Sequence, residues 1–166
     1  MFVLGIDPGL SRCGYGCVER HRDGPRAVAI GVITTPPAAP LPDRLAELQA
    51  ELRALITELR PAAVAVERVF FQVNVRTAMS VGQASGIAMA EAASAGCRVA
   101  QYTPNQVKEA VAGHGSADKE QVQQMVQTLL RLPEPPRPAD AADAAALALC
   151  HLAYEPSRLA AERALR

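Results

Sequence analysis

Three runs near the start of the chain, Phe2–Ile6, Cys13–Glu19 and Val28–Thr34, are apolar or alternate apolar with polar positions. Each is short and bounded by turn residues, which suits strands. Asp7-Pro8-Gly9 ends the first, and His21-Arg22-Asp23-Gly24-Pro25 separates the second from the third. The three predict an antiparallel meander. After the proline-rich connector Pro36–Pro42, leucines and Ile56 recur at helical spacing over Asp43–Leu59, opposite a charged face. Ala62–Val66 returns to a continuous apolar run. Phe70–Asn74 reads as a loop, and Val75–Ser94 as a helix rich in Ala, Gly and Ser.

Cys97–Gln101 is the last strand. Thr103-Pro104-Asn105-Gln106 has the residues of a capping box, with Pro in the first helical position. Gly113-His114-Gly115 breaks that helix, and Ser116 is the expected cap of the next, which runs to about Leu130. A second connector, Pro133–Pro138, leads to an Ala- and Leu-rich helix over Asp140–His151. The order predicts one α/β domain over residues 1–155, a mixed five-stranded sheet flanked by helices. A short tail, 156–166, follows.

Composition narrows the class. Of 166 residues, 49% are hydrophobic, and a chain this long buries roughly 70% of its unfolded surface without disulfide or structural metal. Aromatics are 4% and Trp is absent, so aliphatic side chains must fill the core. The longest stretch without Asp, Glu, Lys or Arg, Ala27–Pro42, is too short and too rich in proline to span a bilayer. No basic, apolar leader opens the chain, and four cysteines lack metal-finger spacing; reduced thiols and a cytoplasmic setting are expected. The 17 basic and 17 acidic residues cancel, which argues against a generally adhesive nucleic-acid coat protein but leaves room for a local basic patch.

Four acids stand where solvated acids usually do not. Asp7 follows the first apolar run, Glu67 follows the fourth, and Asp140 and Asp143 lie three apart in an apolar helix, on one face. If the first and fourth strands are parallel neighbours, Asp7 and Glu67 lie side by side at their carboxyl ends, where α/β sheets gather ligand sites. The last helix packed there would bring all four together. Such a cluster repels itself unless cations enter it, and all-oxygen donors favour Mg²⁺, with Mn²⁺ able to substitute, over Zn²⁺. Two ions ~3.5–4 Å apart would suit phosphodiester hydrolysis. Blander roles exist for each acid alone: Asp7 as a turn former, Asp140 as a helix cap, Asp143 as a surface acid, Glu67 as a partner of Arg68.

Five segments together carry a family likeness: Gly5-Ile6-Asp7-Pro8-Gly9, Val66-Glu67-Arg68-Val69-Phe70, Pro104-Asn105-Gln106-Val107-Lys108, Gly113-His114-Gly115-Ser116-Ala117-Asp118-Lys119 and Ala139-Asp140-Ala141-Ala142-Asp143-Ala144. In order and spacing they resemble RuvC, the bacterial Holliday junction resolvases. The resemblance implies an RNase H-like fold, a homodimer, and Mg²⁺-dependent paired nicking of four-way DNA junctions in recombination and repair. It implies that Asp7, Glu67, Asp140 and Asp143 are the catalytic, metal-binding acids. It also implies that Phe70 stacks near the junction centre, that Lys108 and Lys119 face the DNA, and that the branch-migration proteins RuvA and RuvB are partners.

Lys108 and Lys119 are the two lysines in the chain, against 15 arginines. Lys119 opens a helix, where a cation opposes the macrodipole, which suggests an external anion. Phe70-Phe71 holds two of three phenylalanines; the pair serves either the core or base stacking. Arg68 and Arg76 are further candidates for the DNA backbone. The small residues of Val75–Ser94 are the candidate dimer face. The rival readings are another RNase H-like nuclease, of ribonuclease H type, and a non-catalytic junction binder.

Overall fold

A computed structural model describes residues 1–68 and 75–164, with backbone alone at 75–77 and 156–164. The meander forms as expected: β1 (Phe2–Asp7) pairs antiparallel with β2 (Arg12–His21), and β2 with β3 (Gly24–Thr34). α1 (Leu41–Leu59) leads to β4 (Ala63–Glu67), which lies parallel to β1 on its other side. α2 (Val75–Ser94) leads to β5 (Arg98–Tyr102), parallel to β4 at the sheet edge. The sheet order is β3-β2-β1-β4-β5, the mixed five-stranded sheet predicted. Then follow α3 (Pro104–Ala112), α4 (Lys119–Leu130) and α5 (Ala139–Ala164).

Helices cover both faces of the sheet. Leu4, Ile6, Cys13, Cys17, Val64 and Val66 pack on Leu48, Leu52 and Ile56 of α1 and Ala84, Ala88 and Ala92 of α2. Val3, Val18, Ala65 and Ala100 turn to the opposite face, toward α3, α4 and α5. Side chains alternate along a strand. On that parity Asp7 follows Val3 and Gly5 onto the α5 face, and Glu67 follows Ala65 onto the same face. Cys13 and Cys17 are core residues, and Cys150 is buried too.

α5 lies almost in contact with the sheet backbone. A Cβ on Gly5 would stand 1.9 Å from the carbonyl oxygen of Ala144, and one on Gly14 would stand 2.0 Å from that of Asp140. No side chain fits there. Ala141, Ala142, Ala144, Ala145 and Ala148 are fully buried on the helix side. Glycine on the sheet and alanine on the helix therefore set the height of α5 above β1 and β2.

Some boundaries differ from expectation. Asp118, not Ser116, caps α4: its carboxylate accepts from Gln121 N at 2.8 Å while Gln121 Oε1 accepts from Asp118 N at 2.9 Å. A cap needs its reciprocal partner three residues on, and Gln121 provides it for Asp118. α1 starts inside the proline connector, at Leu41, because Pro42 suits a first turn whose N–H groups have no helical partner. α5 continues as one helix past His151 to Ala164. The capping box at Thr103 forms as read, with Gln106 N donating to Thr103 Oγ1 at 3.2 Å.

Candidate active site

β1 and β4 run parallel with Ile6 opposite Val66, so Asp7 and Glu67 emerge side by side from the same sheet end. Each carboxyl group bears on the other's ionisation. Two carboxylates side by side in a poorly solvated site favour sharing a proton or taking up a cation. Burial, first, and then the charges of Glu67, Asp143 and Asp140 push the Asp7 carboxyl up to about 8. Glu67 is also raised, again chiefly by burial. Asp143 enters from α5 within the same field.

Two cations already answer these acids. Lys119 Nζ stands 2.9 Å from Asp143 Oδ2. Arg12 Nε stands 3.2 Å from Asp140 Oδ2. The Asp143 carboxylate holds the Lys119 ammonium above its usual pKa. The anion expected to offset Lys119 in the first turn of α4 is thus supplied by the protein itself. Asp7, Glu67 and Asp143 line a cleft of about 250 Å³ with Lys108 and Lys119. Asp140 lies one helical turn before Asp143, with 24% of its side chain exposed. Among the described residues no three carboxylates converge tightly enough to hold a metal ion as they stand. The donor set nevertheless fits a hard divalent cation: every donor is oxygen, and Asp7 carries a burden of negative charge that only a proton or a cation relieves.

The other expected contacts divide. Lys108, half-buried, faces the cleft without a carboxylate partner among the described residues. Arg68 is exposed on a neighbouring groove with Gln101, Gln106 and Tyr154. Phe70 and Phe71, and the side chain of Arg76, lie outside the described residues. His114 is an exposed loop residue beside Ser116, 3.1 Å away. His151 is buried against Tyr102, whose hydroxyl lies 2.9 Å from Nδ1, a structural tie between α5 and β5. Sequence reasoning missed Arg12. Its parity with Gly14 and Gly16 on β2, the α5-facing set, was the available signal.

Meander, parallel strands and a carboxylate centre at the β1/β4 end together define a nuclease of the RNase H-like class. The family model described as "Crossover junction endodeoxyribonuclease RuvC" matches residues 3–151. A relative of that name from Salinispora arenicola is 56% identical over 153 residues, 92% of this chain and 87% of its own. Thermus thermophilus RuvC superposes with a TM-score of 0.88 at 41% identity, over 95% of this chain and 96% of that one. The same protein in complex with Holliday junction substrate gives 0.88 at 42% identity, over 93% and 94%. The chain belongs to the RuvC family of crossover junction endodeoxyribonucleases, which are metal-dependent nucleases. None of its described helices is long and apolar enough to cross a membrane.

Proposed function

We propose that this enzyme resolves four-way DNA junctions by paired nicks, using Asp7, Glu67, Asp140 and Asp143 as its catalytic acids. The observation that carries the assignment is the placement of Asp7 and Glu67 at the same end of paired parallel strands, in a cleft that Asp143 of α5 also lines. The four carboxylates would hold Mg²⁺, two ions per site, with Mn²⁺ able to substitute. When bound, such ions acidify a water at the scissile phosphate and neutralise charge on the leaving 3′-oxygen, which yields 5′-phosphate and 3′-hydroxyl ends.

The chain's own residues do the rest. Lys108, without a carboxylate partner among the described residues, offers its ammonium to a phosphate in the cleft. Lys119, freed from Asp143 when that carboxylate is otherwise engaged, offers a second. Arg68, Arg76, Phe70 and Phe71 border the catalytic end of β4 in sequence and are assigned to the DNA, the two rings by stacking on unpaired bases.

One active site cuts one strand, so two symmetric nicks require a two-fold dimer. The exposed stripe Met79, Gly82, Gly86 and Ala90 on α2 supports that face as the interface. A Cβ at Gly82 or Gly86 meets nothing within 4 Å, so a second helix can approach closely. RuvA and RuvB are the proposed partners, and the cytoplasm the proposed location.

The test is nicking of a synthetic four-way junction beside linear duplex and RNA–DNA hybrid, in Mg²⁺ or EDTA. Junction-selective, Mg²⁺-dependent nicking is expected. Asp7→Asn should keep junction affinity and lose nicking by at least 100-fold, on the scale of removing one transition-state stabilising group. Hybrid cleavage would favour the ribonuclease H reading, and unchanged nicking by Asp7→Asn would sink the metal-site assignment.

A further inference from the structure

Lys108 and Lys119 line the carboxylate cleft, from α3 and α4. Arg12 stands apart from that cleft, at the start of β2, with 61% of its side chain exposed. Its nearest approach to Asp140 is through Nε, at 3.2 Å. The contact lacks hydrogen-bond geometry, since Asp140 Oδ2 accepts no hydrogen bond. A carboxylate on the Nε edge of a guanidinium leaves three of its five N–H donors directed away from that edge. Arginine's planar fork matches a phosphate as well as it matches a carboxylate.

The backbone that presents Arg12 is held from several sides. Thr35 Oγ1 donates to the carbonyl of Leu10 at 2.5 Å, and Thr35 N donates to that of Ser11 at 3.3 Å. Arg44, from α1, donates to Ser11 Oγ at 2.7 Å and to Thr35 Oγ1 at 3.0 Å. Gly9 packs so tightly that a Cβ there would stand 2.1 Å from the Arg12 carbonyl oxygen. β2 is paired with β3 from Arg12 itself, and with β1 as well from Gly14. A cation on so fixed a base loses little backbone freedom when it meets a ligand. Arg44, which also has no carboxylate partner among the described residues, adds a second cation beside Ser11.

We propose that Arg12 binds a DNA backbone phosphate outside the cleft that Lys108 and Lys119 line, bridging that phosphate to Asp140. The strand entering the site then meets a cation at Asp140 as well as those in the cleft. Asp140 in turn is held by a residue that senses the DNA. This inference rests on the junction reading above and adds the residue that makes the second contact.

The experiment measures junction affinity in EDTA, so that cleavage plays no part. Methylphosphonates neutralise, one at a time, the phosphates around the junction centre. In the wild type, neutralising one particular phosphate should weaken binding about three- to tenfold. Arg12→Gln should bind more weakly by a similar factor and be insensitive at that phosphate alone. Its slope of log affinity against log salt should shrink by about 1. Arg12→Lys, which keeps the charge, should recover most of the slope. Arg26→Gln, at the far end of β3, should behave as wild type. An Arg12→Gln protein that responds to every neutralised phosphate as the wild type does overturns the proposal and leaves Arg12 as the ion-pair partner of Asp140. A wild-type protein that binds no junction overturns the junction reading, and this inference with it.

Discussion

Asp7 is the residue on which the charge of the site is concentrated. Burial and three neighbouring carboxylates push its pKa from the ordinary carboxylate range up to about 8. The folded, metal-free protein therefore binds a proton that the unfolded chain releases at much lower pH. Stability must fall as pH rises from about 4 to about 8 and then level off. Asp7→Asn removes this liability. In EDTA its melting temperature should exceed the wild type's by several degrees at pH 8–9, and the gain should vanish near pH 4. Calorimetric melting across that range checks it, and equal melting temperatures at pH 8 would contradict the buried charge. A variant stabilised in EDTA yet inactive with Mg²⁺ is the expected signature of a site strained for function.

At the scale of elements, the site depends on how closely α5 approaches the sheet. Asp140 and Asp143 occupy the first turns of that helix, and Gly14 lies against the Asp140 carbonyl. Gly14→Ala puts a methyl group 2.0 Å from that oxygen, so α5 must lift or tilt. The cost expected of such overpacking is about 1–3 kcal/mol. Nicking should fall far more than stability, because the helix carrying two acids moves relative to Asp7. Melting and nicking measured on one preparation separate the two effects. Lys119 shows the same dependence of chemistry on element placement. α4 delivers it to Asp143, 24 positions further on, although the capping sequence alone orients only its own helix.

For the whole molecule, neutrality and symmetry are the relevant properties. Setting aside the four site acids leaves a formal +4 on the rest of the chain. Bound divalent cations would cancel those acids, so electrostatic attraction to DNA should strengthen with divalent ions and weaken with salt. The open face of α2 allows a direct test of the dimer. Gly86→Arg adds a long charged side chain where a Cβ meets nothing, and arginine suits a helix interior better than glycine does. Circular dichroism should remain that of a folded protein, while light scattering reports a monomer. Junctions should then accumulate single nicks in place of paired ones; a Gly86→Arg dimer with paired nicking would move the interface elsewhere.

Hydrophobic periodicity and turn residues determine most elements by local physics, and β1, β4 and the capping box at Thr103 were legible for that reason. The sequence also determined which acids are unusual, since an Asp or Glu ending a buried strand is costly wherever the strand lies. Two things were decided only in three dimensions. One is the pairing of cations with these acids: Arg12 with Asp140 and Lys119 with Asp143 are joined across the fold, with no local pattern to announce them. The other is the depth of α5, set by glycines on β1 and β2 against alanines more than 100 residues away. Local propensity acts over a few residues, whereas charge and excluded volume act wherever the packed chain brings groups together, and the chemistry of this site depends on the latter.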